Sequence, residues 1–176
     1  MILSPVFAAL NRLLPTEEAF AHCDIPCGIY DPHLAQVAAL TTIRMNQLIE
    51  GLEDPAAGTG GALPSKEARE KFIHAIERYT TVKEEHAELV KREVRIIWGD
   101  YFKPEHLEKY PDLHQVTWNI MKLGSKVRQE VNLQAALELL AEVQKFAEIF
   151  WATKGASVRR QPSLMPAGGE VVLPTS

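Results

Sequence analysis

From residue 31 onward, apolar side chains recur every three or four positions, the period of a helix that buries one face. Asp31 and Pro32 suit the start of a first helix, with Leu34, Val37, Thr41, Met45, Leu48 and Leu52 as its predicted stripe. Residues 53–64, dense in Gly, Pro and Ala, break the pattern and predict a linker. Ser65 then caps a long second helix whose stripe runs Ile73, Ile76, Thr80, Ala87, Val90, Val94, Ile97 and Tyr101, and Pro104 is expected to end it. Pro111 and Asp112 open a third helix, with Leu113, Val116, Ile120 and Leu123 inward. Asn132 caps a fourth, carrying Leu133, Leu137, Leu140, Val143, Ala147 and Phe150. Four such stripes bury best against one another, so the expected fold class is all-α, an antiparallel four-helix bundle over residues 33–154. Residues 155–176, with Pro162, Pro166, Gly168, Gly169 and Pro174, show no period; a disordered tail is expected, and no strand of convincing length stands out.

The first 21 residues form a separate pattern: Ser4 and Pro5 can start a short helix of Val6, Phe7, Leu10, Leu13 and Leu14, which Pro15 and two glutamates interrupt. Ala19-Phe20-Ala21 has the small-x-small form of a cleavage site. No Lys or Arg precedes the apolar stretch and Arg12 falls inside it, which departs from a secretory signal, so a cytoplasmic location is the expectation.

Composition narrows the classes. With 176 residues, a chain buries roughly two-thirds of its unfolded surface and needs neither a disulfide framework nor a structural metal for its core. A net charge of −4 disfavours a nucleic-acid partner, and no window approaches the apolar length of a membrane span.

The two cysteines therefore need another explanation, and they lie together in His22-Cys23-Asp24-Ile25-Pro26-Cys27-Gly28-Ile29-Tyr30-Asp31-Pro32. Two thiols three residues apart can turn toward one point in a tight hook; a local disulfide or a pair of inert thiols is the plain alternative. Structural zinc takes four side-chain ligands, more than this segment offers. Cleavage after Ala21 changes the donor count, because His22 then carries a free α-amine beside its imidazole. Amine, Cys23 amidate and Cys23 sulfur close two successive chelate rings, and the Cys27 sulfur completes a plane of two nitrogens and two sulfurs. That plane suits a d⁸ ion such as Ni(II), with the imidazole free to approach from above.

The segment His22–Pro32 closely resembles the N-terminal nickel hook of the nickel superoxide dismutases. A second block, Trp98-Gly99-Asp100-Tyr101-Phe102-Lys103-Pro104 continuing to Glu108-Lys109-Tyr110-Pro111 and Leu113-His114-Gln115, is similar to that family's segment between its second and third helices. The resemblance covers roughly residues 22–154. It implies disproportionation of superoxide to dioxygen and hydrogen peroxide by Ni(II)/Ni(III) cycling, with one nickel ion per subunit. It further implies His22, Cys23 and Cys27 as ligands, a leader (residues 1–21) removed by a processing peptidase, a hook at 22–32, and a homohexamer. Tyr30 and Tyr101 match the tyrosines that guard the open face of the metal. Asp24 belongs to the hook, where an aspartate can also simply bond neighbouring backbone amides. Lys103 stands where a cation could attract an anionic substrate locally, within a Debye length of about 8 Å.

Two positions depart from the family pattern. A glutamate and an arginine commonly hold the axial imidazole; here those positions fall at Ala38 and His86, and His86 is a candidate to take over a hydrogen bond or an ordinary helical histidine. His33, His74, His106 and His114 read as surface or structural, and Trp98, Trp118 and Trp151 as packing residues. The rival readings are a secreted non-catalytic helical bundle with a Cys23–Cys27 disulfide, a cytosolic thiol switch, and a metal carrier without turnover.

Overall fold

The computed structural model describes residues 28–57 and 63–175, and they are mostly helical. The elements are α1 (His33–Glu50), α2 (Lys66–Ile96), α3 (Pro104–Lys109), α4 (Leu113–Gln129), α5 (Leu133–Thr153), β1 (Ser157–Pro162) and β2 (Glu170–Thr175). The expected leader and hook residues 22–27 lie outside the described residues.

Capping chemistry starts the long helices where the sequence reading puts it. Ser65 Oγ accepts from the Ala68 N–H at 3.1 Å, and Asn132 Oδ1 accepts from the Ala135 N–H at 2.9 Å, each satisfying a donor that the first helical turn leaves orphaned. Packing runs in a ring, α1 on α2, α2 on α4, α4 on α5 and α5 back on α1. Inside it Val90 and Val94, Leu113 and Ile120, and Leu139, Phe146 and Phe150 are fully buried.

The stripe read for the first helix is displaced. Leu34 is 47% exposed, while Ala35, Ala38, Ala39, Thr42, Ile43 and Asn46 are buried. Helix α1 is covered by α2, α5 and β2 together, so it needs a broad buried face, and alanines let those neighbours approach closely. Ile73 is exposed as well, because full burial along α2 begins only at Lys83. Leu137 on α5 likewise faces outward. Pro104 starts an element rather than ending one: α2 runs into a π turn at Ile97–Tyr101, Phe102 is extended, and Pro104 takes the first position of α3, where its missing N–H costs nothing.

The largest correction concerns residues 155–176, read as disordered. Residues 157–162 and 170–175 pair as an antiparallel hairpin, Val158 opposite Pro174 and Arg160 opposite Val172. The hairpin is docked by side-chain amides. Gln36 Nε2 donates to Val172 O at 3.0 Å and Gln36 Oε1 accepts from Val172 N at 2.7 Å, so this fully buried glutamine does for β2 what a neighbouring strand would. Gln47 donates to Ala167 O and Gln144 to Glu170 O, while Arg160 pairs with Glu148 at 2.7 Å. Val171 and Val172 are buried beneath. The composition misled because the partners that satisfy this backbone lie on distant helices.

Replacing Gln36 with leucine is expected to cost about 3 kcal/mol, since a buried N–H and a buried C=O lose their partners at once. Thermal unfolding and hydrogen exchange at the Val172 amide check this; an unchanged exchange rate would mean that the hairpin is held without Gln36.

Candidate metal centre

Gly28 stands at φ +63°, a left-handed conformation that glycine reaches without the steric cost a side chain pays; a Cβ there would meet nothing within 4 Å, so conformation rather than space asks for glycine. Two residues on, Tyr30 packs against the core, and its ring centroid lies 5.5 Å from that of Tyr101. Asp31 Oδ1 then accepts from the His33 N–H at 2.7 Å, which helps turn the chain into α1. The two sequence-predicted tyrosines, 71 positions apart in the chain, thus meet.

The π turn aims Tyr101. Its extra residue per turn is closed by Phe102 N donating to Ile97 O at 3.3 Å, and such turns re-aim the side chains that follow them. The Tyr101 ring then sits in an aromatic cage, with Phe150 at 4.7 Å, Phe102 at 5.2 Å, and the His106 imidazole nearly parallel at 5.7 Å. Tyr101 Oη lies 2.8 Å from Thr153 Oγ1, and Lys154 Nζ stands 5.1 Å from the Tyr101 ring centroid.

Lys103 is exposed, as a steering cation must be, and lies two residues beyond Tyr101. Its backbone N–H donates to His106 Nδ1 at 3.1 Å, so of its two readings, surface or structural, His106 takes the structural one: it ties the Lys103 backbone while stacking on Tyr101. Thr153 and Lys154 escaped the sequence reading. Only Gly155, a helix-ending signal, marks their neighbourhood, and nothing local announces a partner 52 residues earlier.

His86 donates from Nδ1 to Val82 O at 2.8 Å, a bond within its own helix, and Ala38 is buried in the core. Trp98 and Trp118, read as packing residues, are 38% and 58% exposed and line an open groove of about 540 Å³ with His114 and Met121; Trp98 Nε1 donates to His114 Nδ1 at 3.0 Å.

Among the described residues, no group of three or more His, Cys, Asp or Glu side chains could hold a metal ion. The expected ligands His22, Cys23 and Cys27, with Asp24, lie outside the described residues. Their chemistry fits nickel: two soft thiols, an imidazole and an amide nitrogen, in a short segment that ends three residues before Tyr30 in the chain.

Comparison with known proteins agrees with this chemistry. Residues 17–154 match the family described as nickel-containing superoxide dismutase. The curated protein "Superoxide dismutase [Ni]" of Streptomyces coelicolor is 37% identical over 151 residues, covering 84% of this chain and 99% of that protein. Its counterpart in Streptomyces seoulensis is 36% identical over the same coverage. A native nickel superoxide dismutase structure superimposes with a TM-score of 0.62 at 34% identity, over 76% of this chain and 99% of that one. The β1–β2 hairpin lies beyond the matched residues. On this agreement of sequence, fold and donor chemistry, the chain belongs to the nickel-containing superoxide dismutases.

Proposed function

We propose that this superoxide dismutase is completed by proteolysis after Ala21, and that its nickel, one ion per subunit, is then held by His22, Cys23 and Cys27. His22 contributes its new α-amine and its imidazole, Cys23 its amide nitrogen and sulfur, and Cys27 its sulfur. Nickel so bound supplies a one-electron couple between Ni(II) and Ni(III), which thiolates and an anionic amidate bring within reach of superoxide. The net reaction takes two superoxide ions and two protons to dioxygen and hydrogen peroxide.

The remaining residues shape the approach. Tyr30 and Tyr101 flank the base of the hook and limit what reaches it. Asp24 would act as a site residue within the hook. Because the chain carries a net charge of −4, attraction of an anion must be local, and Lys103 provides it, with Lys154 a second cation beside Tyr101. Residues 1–21 act as a leader, 22–32 as the hook and 33–154 as the scaffold, whose ring of packed helices supports an antiparallel four-helix bundle. The half-exposed Trp98 and Trp118 are the kind of surface that self-association covers, in keeping with a homohexamer. No described helix is long and apolar enough to cross a membrane, and the cytoplasm is the proposed location.

The observation that carries this reading is the meeting of Tyr101 with Tyr30, which follows the two-thiol segment by three residues in the chain. Intact mass and metal analysis of the protein from its native host tests it. The expected result is an N-terminus at His22, about one nickel per chain and no disulfide. A chain that retains residues 1–21 with Cys23 bonded to Cys27 would overturn the reading.

A further inference from the structure

The Tyr101 hydroxyl has a determined direction. Thr153 carries one hydroxyl proton and donates it to Phe150 O at 2.6 Å, one of the α5 carbonyls that the end of the helix leaves without a helical partner. The 2.8 Å bond between Thr153 Oγ1 and Tyr101 Oη therefore takes its proton from the phenol. The resulting chain, from Tyr101 O–H to Thr153 O–H to Phe150 C=O, runs toward the negative pole of α5, and each bond polarises the next in the same sense. Reversing it would cost Phe150 O its donor and point a hydroxyl dipole against the helix. The ring cannot turn away either, since it is held between Phe150, Phe102 and His106.

We infer that Thr153 is a positioning residue that engages the Tyr101 proton, so that toward water or product at the nickel site Tyr101 Oη can act only as an acceptor. Tyr101 then orders water or product by receiving their O–H groups and is not the source of the two protons consumed per peroxide formed. Those protons come from water. The inference deepens the functional reading, resting on Tyr101 lying beside the metal.

Two measurements test it. Ultraviolet resonance Raman reports whether a phenol donates or accepts, and subtracting the Tyr101→Phe spectrum isolates this tyrosine without any need for metal. Wild type and Thr153→Ser are expected to show a donor, and Thr153→Val to lose it. In the processed, nickel-loaded enzyme, Tyr101→Phe and Thr153→Val are each expected to lower kcat/KM about fivefold, the scale of one neutral hydrogen bond. The double variant should fall no further, Thr153→Ser should recover the rate, and Tyr101→Phe should keep the wild-type solvent deuterium isotope effect. An unchanged Raman signature in Thr153→Val, or loss of the isotope effect in Tyr101→Phe, would overturn the inference. Failure of processed wild type to consume superoxide would instead sink the functional reading, with the Raman result still deciding the direction of the hydroxyl.

Discussion

Replacing Cys27 with serine, or Cys23 with serine, is expected to abolish dismutation rather than weaken it. A serine hydroxyl is a hard donor that stays protonated near neutral pH, so the variant site offers nickel one soft anionic donor fewer and Ni(III) becomes too costly to reach. Removing an outer partner of a metal site typically costs tenfold to a hundredfold, and loss of a direct sulfur ligand should exceed that, taking the rate below about one-hundredth of wild type. Stopped-flow decay of superoxide, made on chains whose N-terminus at His22 has been verified by mass, checks it. Nickel content should be measured on the same sample. A Cys27→Ser protein that holds nickel and still turns over within tenfold of wild type would remove the redox argument for the hook.

Replacing Lys83 with methionine is expected to be the most destabilising single change in the scaffold. Lys83 is 2% exposed, and its Nζ donates to Val127 O, to Arg128 O at 3.1 Å and to Glu130 O at 2.8 Å, where α4 ends. Terminal helical carbonyls lack internal partners and carry the negative pole of the helix, so a buried ammonium is well matched to them. Methionine fills similar space but takes the donor from the buried Val127 carbonyl and from the part-buried Arg128 and Glu130 carbonyls, at about 3 to 4 kcal/mol, or a melting temperature lower by about 10 °C. Burial also lowers the Lys83 pKa below its ordinary value, with Glu84 opposing. Between the lowered folded value and the ordinary unfolded one, the unfolded chain holds more protons, so this group makes stability rise with pH through that window. Below both values it contributes no slope. Unfolding curves across that range should therefore steepen for wild type relative to Lys83→Met. Parallel curves would show that Lys83 does not sense its burial.

Helices were legible because their signals are local. Ser65 and Asn132 cap their helices through bonds to residues three positions ahead, and a reader needs only the neighbouring letters to expect them. The inward faces of α4 and much of α5 followed from the same period. On α1 the larger apolar residues marked the wrong edge, because the choice of buried face depended on a hairpin more than a hundred residues away. Lys83 sits in a run of Lys-Glu-Glu that reads as a solvated helix surface, and only the arrival of the α4 terminus makes it a cap. For the site, the thiol spacing and the matching blocks brought Tyr30 and Tyr101 into view, whereas Thr153 and Lys154 had no local mark.

By itself, then, the amino-acid order determined the donor types present in the cysteine segment, the starts of the long helices and the family, since each depends on residue type and short spacing. Tertiary structure alone decided that residues 157–175 form a docked hairpin, that a lysine is buried, and which way the Tyr101 proton points. Those outcomes rest on hydrogen bonds between groups dozens of positions apart, and a polar group's partner across that distance exists only once the helices have packed.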